Sequence, residues 1–311
     1  MKKLLHLIFL CLLVSCLPQT NKKDEINNDP ALDSSNPGNN NPIQSDVMSI
    51  EIDLADLESL NGQHYEGWLI IDGAPVSTGR FNITSNGETV DVNSDGEIIK
   101  IQNRNSLYTA KVNPIAETAA LFVLTIEPNG DFQESPSSVH LAGGPFQNLV
   151  SVARTSHQSA LGNDFSTASG AFILATPSNG PTTANQGIWN INPAIGASAL
   201  NLPVLPAGWI YEGWVVDSAL GSVNSTGTFR DPNSGDSDLA GGPKAGLLSV
   251  GPAVPGQDLI NPAVVLNDGN HVSVITIEPY PDYDDRPFSM KVLRKAIPSN
   301  LLPKTLVNMG L

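Results

Sequence analysis

Cysteine is almost absent. The 311-residue chain holds two, Cys11 and Cys16, both within the first sixteen positions. Everything after them lacks disulfides and thiolate metal sites, so cysteine usage assigns no redox compartment to the folded part. Aromatic residues make up only 6% and charged residues 15%. Positive charge is scarce, with 16 Lys+Arg against 31 Asp+Glu and a formal charge of −15. Such a surface repels phosphate backbones and anionic headgroups, which excludes nucleic acid as a partner and direct adhesion to acidic lipid. No stretch after the leader keeps an amphipathic helical period for long; Leu54 to Leu60 comes nearest, over a turn or two. Three chemical signatures are missing as well: a Gly-x-Ser-x-Gly elbow, a Gly-rich phosphate loop and a Cys–His pair. His64, His140, His157 and His271 show no metal-ligand spacing, and His64 and His271 read as strand-end surface residues.

What is present is a plan written twice. Tyr-Glu-Gly-Trp stands at 65–68 and 211–214, Ser-Thr-Gly-x-Phe at 77–81 and 225–229, and Thr-Ile-Glu-Pro at 125–128 and 276–279. The motifs keep their order, and the second set is offset by 146, 148 and 151 residues. A chain of this length holds about two domains at ~150 residues each, and the repeat predicts two lobes built alike. It also argues against a single-centre enzyme, since a motif needed once for chemistry has no reason to recur with its neighbours.

The first fifteen residues read as an export signal: a basic Met1-Lys2-Lys3, then an apolar stretch from Leu4 to Val14 that is too short to span a bilayer alone. Leu13-Val14-Ser15-Cys16 resembles the bacterial lipobox, which implies cleavage before Cys16, acylation of that cysteine, and a membrane attachment through the lipid. In a Gram-negative cell, Leu17 in place of an aspartate resembles lipoproteins sent on to the outer membrane. Cleavage removes two lysines and no acid, taking the charge from −15 to −17. Residues 16–47 are rich in Asn, Asp, Pro and Ser and cannot bury enough apolar surface to offset their ordering entropy, so they read as a disordered tether.

Short strands fill the remainder. Ile50, Ile52 and Leu54 alternate with Glu51 and Asp53, and Trp68 to Ile71 stops at Asp72-Gly73. Asp95-Gly96 reads as a hairpin turn, and Leu121 to Ile126 as a central strand. The expected division is a first β lobe at 48–150, a strand-containing connector at 151–197, a second β lobe at 198–298 and a C-terminal tail at 299–311. The fold class is all-β, two tandem, related β-sandwich-like lobes after the disordered N-terminal tether.

In the first lobe, Trp68, Asp72, Gly73, Pro75, Val76, Gly79, Thr125, Glu127, Pro128 and Gly130 form a pattern that resembles the extracytoplasmic domain of anti-sigma-K factors. The second lobe keeps Trp214, Gly227, Thr276, Glu278 and Pro279 but replaces the tight Asp-Gly turn by Asp217 to Gly221. The resemblance covers about two thirds of the mature chain and implies an ectodomain-like fold. The chain departs from those regulators in having neither a sigma-binding segment nor a transmembrane helix.

Four acids recur, Glu66, Glu127, Glu212 and Glu278. A glycosidase needs two carboxylates about its bond, but recurrence in both lobes favours a structural role, such as a Glu before Pro accepting backbone N–H groups at a strand end. Trp68 and Trp214 read as core, and so do Tyr65 and Tyr211, whose alternative is a stacking surface for sugar or peptide. Asp91, Asn93 and Asp95, with Gly96 and Ile98, match the opening of an EF-hand loop and form the one calcium candidate; Gln102 stands where the bidentate Glu belongs. Asp231, Asn233, Asp236 and Asp238 form a second acidic loop, and Asp282, Asp284 and Asp285 a third. No other cofactor is implied. The sequence as a whole suits a lipid-anchored, non-catalytic binding or structural module of the cell envelope, with an envelope protein or a glycan as its ligand. The alternatives are an anti-sigma-factor-like sensing component and a hydrolase with an acidic site.

Overall fold

A computed structural model of the protein describes residues 11–18, 48–53, 57–105, 107–112, 118–148, 150–179, 183–237 and 253–311. Most of the expected tether, residues 19–47, lies outside the described residues, and so does Asp238. The described chain is all-β, with no α-helix.

The first lobe contributes β1 (Cys11–Pro18), β2 (Met48–Asp53), β3 (Gln63–Ile71), β4 (Ala74–Ile83), β5 (Glu88–Val92), β6 (Ile98–Asn105), β7 (Leu107–Val112), β8 (Leu121–Pro128), β9 (His140–Gln147) and β10 (Val150–Arg154). They form one ten-stranded antiparallel sheet in the order β6-β5-β4-β3-β8-β9-β10-β1-β2-β7. The sheet curls on itself: Tyr108 of β7 stacks on Phe81 of β4 at 4.3 Å, and the Gln102 side chain of β6 bonds both the N–H and the C=O of Thr109. One sheet thus supplies both layers of a sandwich. Local chemistry fits the strands. Asp72 and Gly73, with φ of 51° and 82°, close the β3–β4 hairpin as a two-residue loop of positive-φ residues must. β8 is buried from Phe122 to Glu127 because it is central and covered on both faces, and its two polar residues there, Thr125 and Glu127, are hydrogen-bonded.

The second lobe comprises β11 (Ser169–Leu174), β12 (Gly187–Trp189), β13 (Ile191–Asn192), β14 (Ala197–Ser198), β15 (Leu200–Asn201), β16 (Trp209–Asp217), β17 (Val223–Phe229), β18 (Gly256–Asp258), β19 (His271–Pro279), β20 (Lys291–Ala296) and β21 (Val307–Met309). The order β17-β16-β19-β20 repeats β4-β3-β8-β9 of the first lobe strand for strand. A second sheet, β15-β11-β12-β18 with β21 on β11, lies opposite. Of residues 151–197, separated above as a connector, 151–154 complete β10 of the first sheet while β11 and β12 belong to this one, and 299–311, separated as a tail, supplies β21. The reason is burial. A four-stranded sheet with one apolar face needs a covering layer, and Phe172, Leu174, Ile188 and Val307 share the core with Tyr211, Ile275 and Ile277.

One apolar cluster runs from Tyr65, Phe81 and Phe122 through Val139, Leu205 and Trp209 to Ile277 and Leu293, so the two lobes are packed on each other. At the junction Trp209 Nε1 donates to the His140 carbonyl at 3.2 Å. At the other end of the chain, Cys11–Ser15 pairs with β10, and Val14–Pro18 with β2. Cleavage before Cys16 would remove all the residues that pair with β10, so the lipobox and the intact β1 are competing fates for residues 11–15.

Candidate functional site

The three repeated motifs interlock, and they do so identically in both lobes. Residues 65 and 68 stand an odd number apart on β3, so their side chains take opposite faces. Tyr65 turns to the main core, stacks on Phe81 at 5.4 Å and gives its hydroxyl proton to the Glu58 carbonyl at 3.0 Å. Tyr211 stacks on Phe229 at the same 5.4 Å and donates to the Pro203 carbonyl at 2.7 Å. On the other face, Trp68 Nε1–H donates to Thr125 Oγ1 at 2.9 Å, and Trp214 to Thr276 at 2.8 Å. Each threonine passes its own proton to the next carboxylate, Thr125 to Glu127 and Thr276 to Glu278. Glu127 also accepts the Ser137 N–H on both oxygens at 2.9 and 3.2 Å, and Glu278 the Phe288 N–H at 3.0 and 3.2 Å. Ser77 donates to Glu66 and Ser225 to Glu212. The glycine between Glu and Trp is required by close approach, because a Cβ at Gly67 or Gly213 would overlap Thr78 or Thr226 Oγ1. The Tyr, Glu and Trp of each first motif thus have their partners in the other two.

The two copies differ in the residues around this network. Arg80 pairs with Glu66 at 2.9 Å, where the second copy has Thr228. His64 contacts Asn129 Oδ1 through Nδ1 at 3.0 Å, where the second copy has Ile210 and Tyr280. His64 and His271 are both buried, which corrects their expected surface position. Asn129, distant in sequence, meets His64, and the adjacent loop meets His271 through Asp268, whose carboxylate lies 2.9 Å from His271 Nδ1.

Burial raises the carboxyl groups of Glu58, Glu66 and Glu127, against the hydrogen bonds that lower them. It also raises Asp282, and carries Glu278 up to about 8. A carboxyl raised on folding holds its proton more tightly in the native state. Its contribution is complete below the unfolded carboxylate range, about 4, and is lost as pH climbs through the folded value. Other shifts act the other way, among them the carboxyls of exposed Asp164 and Asp231, lowered by hydrogen bonds from Ser166 and Asn233. Asp268, held at about 2 mainly by the Asn270 N–H, favours the native state above its unfolded range, and burial lowers His64. Above pH 5 the lowered aspartates are ionised in both states, whereas Glu278, carried to about 8, titrates across the neutral range. The melting temperature is therefore expected to peak in mildly acidic buffer and fall toward pH 8.5, and Glu278→Gln should flatten that slope. A melting temperature that rises from pH 5 to pH 8.5 would contradict this assignment.

The calcium candidate is not assembled as a ligand set. Asp91 is held by Gln102 and by Lys100 at 3.9 Å. Asn93 Oδ1 accepts the Asp95 and Glu97 N–H groups at 3.0 and 2.9 Å, which makes the segment a hairpin turn capped by its own asparagine. Among the described residues no group of three or more His, Cys, Asp or Glu is placed to hold a metal ion. In the second acidic loop Asp231 caps the Asn233 N–H at 2.9 Å, and buried Asp236 accepts the Gly256 N–H at 2.9 Å.

The third acidic loop lines a cleft. Between the lobes lies a space of about 390 Å³, walled by Glu58, Asn61, Gln63 and Ser85 on one side and by Glu278, Asp282, Asp284 and Arg286 on the other. Glu58 Oε1 accepts the Ser289 N–H across it at 2.8 Å, and Gln63 Nε2 donates to the Pro281 carbonyl at 3.3 Å. Arg286 pairs with Asp284 at 3.2 Å. Sequence reasoning missed Glu58, Asn61 and Gln63, which lie in no repeated motif; only the folded junction brings them opposite residues 278–288. Among the described residues, no helix is long and apolar enough to cross a membrane. No family model, curated protein or solved structure matches the chain.

Proposed function

We propose that the protein is a lipid-anchored component of the cell envelope that works as a non-catalytic binding or structural module. The carrying observation is the doubled network. The recurring acids, the best catalytic candidates in the sequence, hydrogen-bond within the same corner in both lobes, and Glu127 and Glu278 have each oxygen occupied by backbone N–H. A carboxylate so engaged builds a strand end in either copy. The leader and the polar segment behind it support display of this body from a membrane through Cys16.

Anchoring is tested by metabolic labelling with an alkyne fatty acid. The chain is expected to take up label and fractionate with membranes, and Cys16→Ser to lose both. An unlabelled wild type, or a mature mass that still includes residues 1–15, would discard the anchor and leave β1 whole.

A further inference from the structure

We infer that the cleft between the lobes is a carbohydrate-binding site, with Tyr283 at its rim as the stacking surface; this deepens, and rests on, the reading of the protein as a binding module.

The loops that follow the two Thr-Ile-Glu-Pro motifs are structural copies. Asp131 Oδ1 accepts the Gln133 N–H at 2.9 Å, and Asp282 Oδ1 accepts the Asp284 N–H at 2.9 Å. Glutamate pins both loops at equivalent residues, Ser137 and Phe288. The residue after the turn aspartate is aromatic in both copies and points outward: Phe132 is 72% exposed and Tyr283 47%. A shared core plan accounts for duplicated burial. It does not account for duplicated exposure, since an aromatic ring in water contributes nothing to packing and costs apolar hydration. In the second copy the loop is brought against the first lobe, where a Cβ added to Gly62 would stand 3.6 Å from Tyr283 Cδ1. Tyr283 therefore lies between two cleft residues in sequence, Asp282 and Asp284, and packs against Gly62, which itself lies between the cleft residues Asn61 and Gln63 in sequence.

The lining selects the ligand class. Carboxylates disfavour an anion. A metal ion finds no triad of ligands, and Asp284 already has Arg286. Leu60, Pro279, Pro287 and Phe288 help make about half of the wall apolar, so a wholly apolar anchor would leave the polar half without partners. What remains is a mixture of acceptors (Glu58, Asp282) and groups that both donate and accept (Asn61, Ser59, Ser85). Sugar hydroxyls, which donate and accept in turn, match that mixture. The C–H face of a pyranose is apolar and fits a tyrosine ring. The volume lies in the usual range for a small-ligand site, roughly 300–1,000 Å³.

The test is a glycan array of neutral oligosaccharides probed with the full chain, with positives titrated by calorimetry. A neutral oligosaccharide is expected to bind. Tyr283→Ala and Asn61→Ala should each weaken it roughly tenfold, about 1.4 kcal/mol, with unchanged melting temperature. No binding at millimolar sugar, or binding that neither substitution alters, would overturn the site. So would capture of calcium or an oligolysine peptide, in place of sugar, that Asp282→Asn abolishes. The two readings fail separately. Release of new reducing ends from a bound glycan would sink the non-catalytic module and keep the site, whereas a protein ligand from the envelope with an empty glycan array would do the reverse.

Discussion

Trp68→Ala is expected to cost about 3–5 kcal/mol of stability, and Trp214→Ala about as much. Both indoles are buried, at 1% and 3% exposure, so truncation leaves a cavity that the surrounding strands cannot close. It also removes the N–H donor to Thr125 or Thr276, the link between the Tyr-Glu-Gly-Trp and Thr-Ile-Glu-Pro motifs. Trp68→Phe fills most of the space but leaves the threonine without that donor, and should cost about 1–2 kcal/mol. Because the apolar cluster is continuous across the lobes, either substitution should lower a single unfolding transition, by an amount on the order of 10 °C. Calorimetry checks both points. Two resolved transitions, of which each alanine variant moves only one, would show that the lobes unfold independently.

Gly208→Ala should be nearly as damaging, at about 3 kcal/mol or more. Gly208 has φ of 86°, a conformation that costs an L-residue roughly 1 kcal/mol or more. A Cβ there would also overlap the Ser138 carbonyl and stand 2.8 Å from Val139 N. These are backbone atoms of the other lobe and cannot swing aside. Relief requires the lobes to separate, which breaks the Trp209 bond to His140 and opens the shared core. Gly73 is the internal control: its φ is 82° but its added Cβ meets nothing within 4 Å, so Gly73→Ala carries only the backbone strain. Equal losses for the two variants in denaturant titration would remove the close contact between lobes from the explanation.

Much of the lobe plan was legible because its signals are local. Alternation around Ile50 and Ile52, the Asp72-Gly73 turn and the apolar run from Leu121 to Ile126 each specify a strand or a reversal by backbone preference and burial alone. The triple repeat announced two copies of one sheet, and β3, β4, β8 and β9 do recur as β16, β17, β19 and β20. The assignment of Tyr65 and Trp68 to core was also readable. Their opposite destinations follow from strand parity, once the strand is known to be covered on both sides. His64 and His271 are buried although strand-end position suggests water, because loops fold over them, a distant one at Asn129 for His64 and the preceding one at Asp268 for His271. The acidic hairpin at Asp91 to Gly96 matched a calcium loop in residue types, but its Asp91 and Asn93 side-chain oxygens are engaged by Gln102 and by backbone N–H groups.

By itself the sequence determined the all-β class, the duplication, the residues that interlock its corners and the acidic character of the surface. These depend on patterns repeated every few residues or copied outright, which any fold of this chain must honour. Tertiary structure alone decided that β11, β12 and β21 complete the second sandwich, that the lobes share a core, and that Glu58, Asn61 and Gln63 face Asp282 and Arg286 across a cleft. Those outcomes depend on which apolar faces cover each other, a competition among distant segments that no local pattern records.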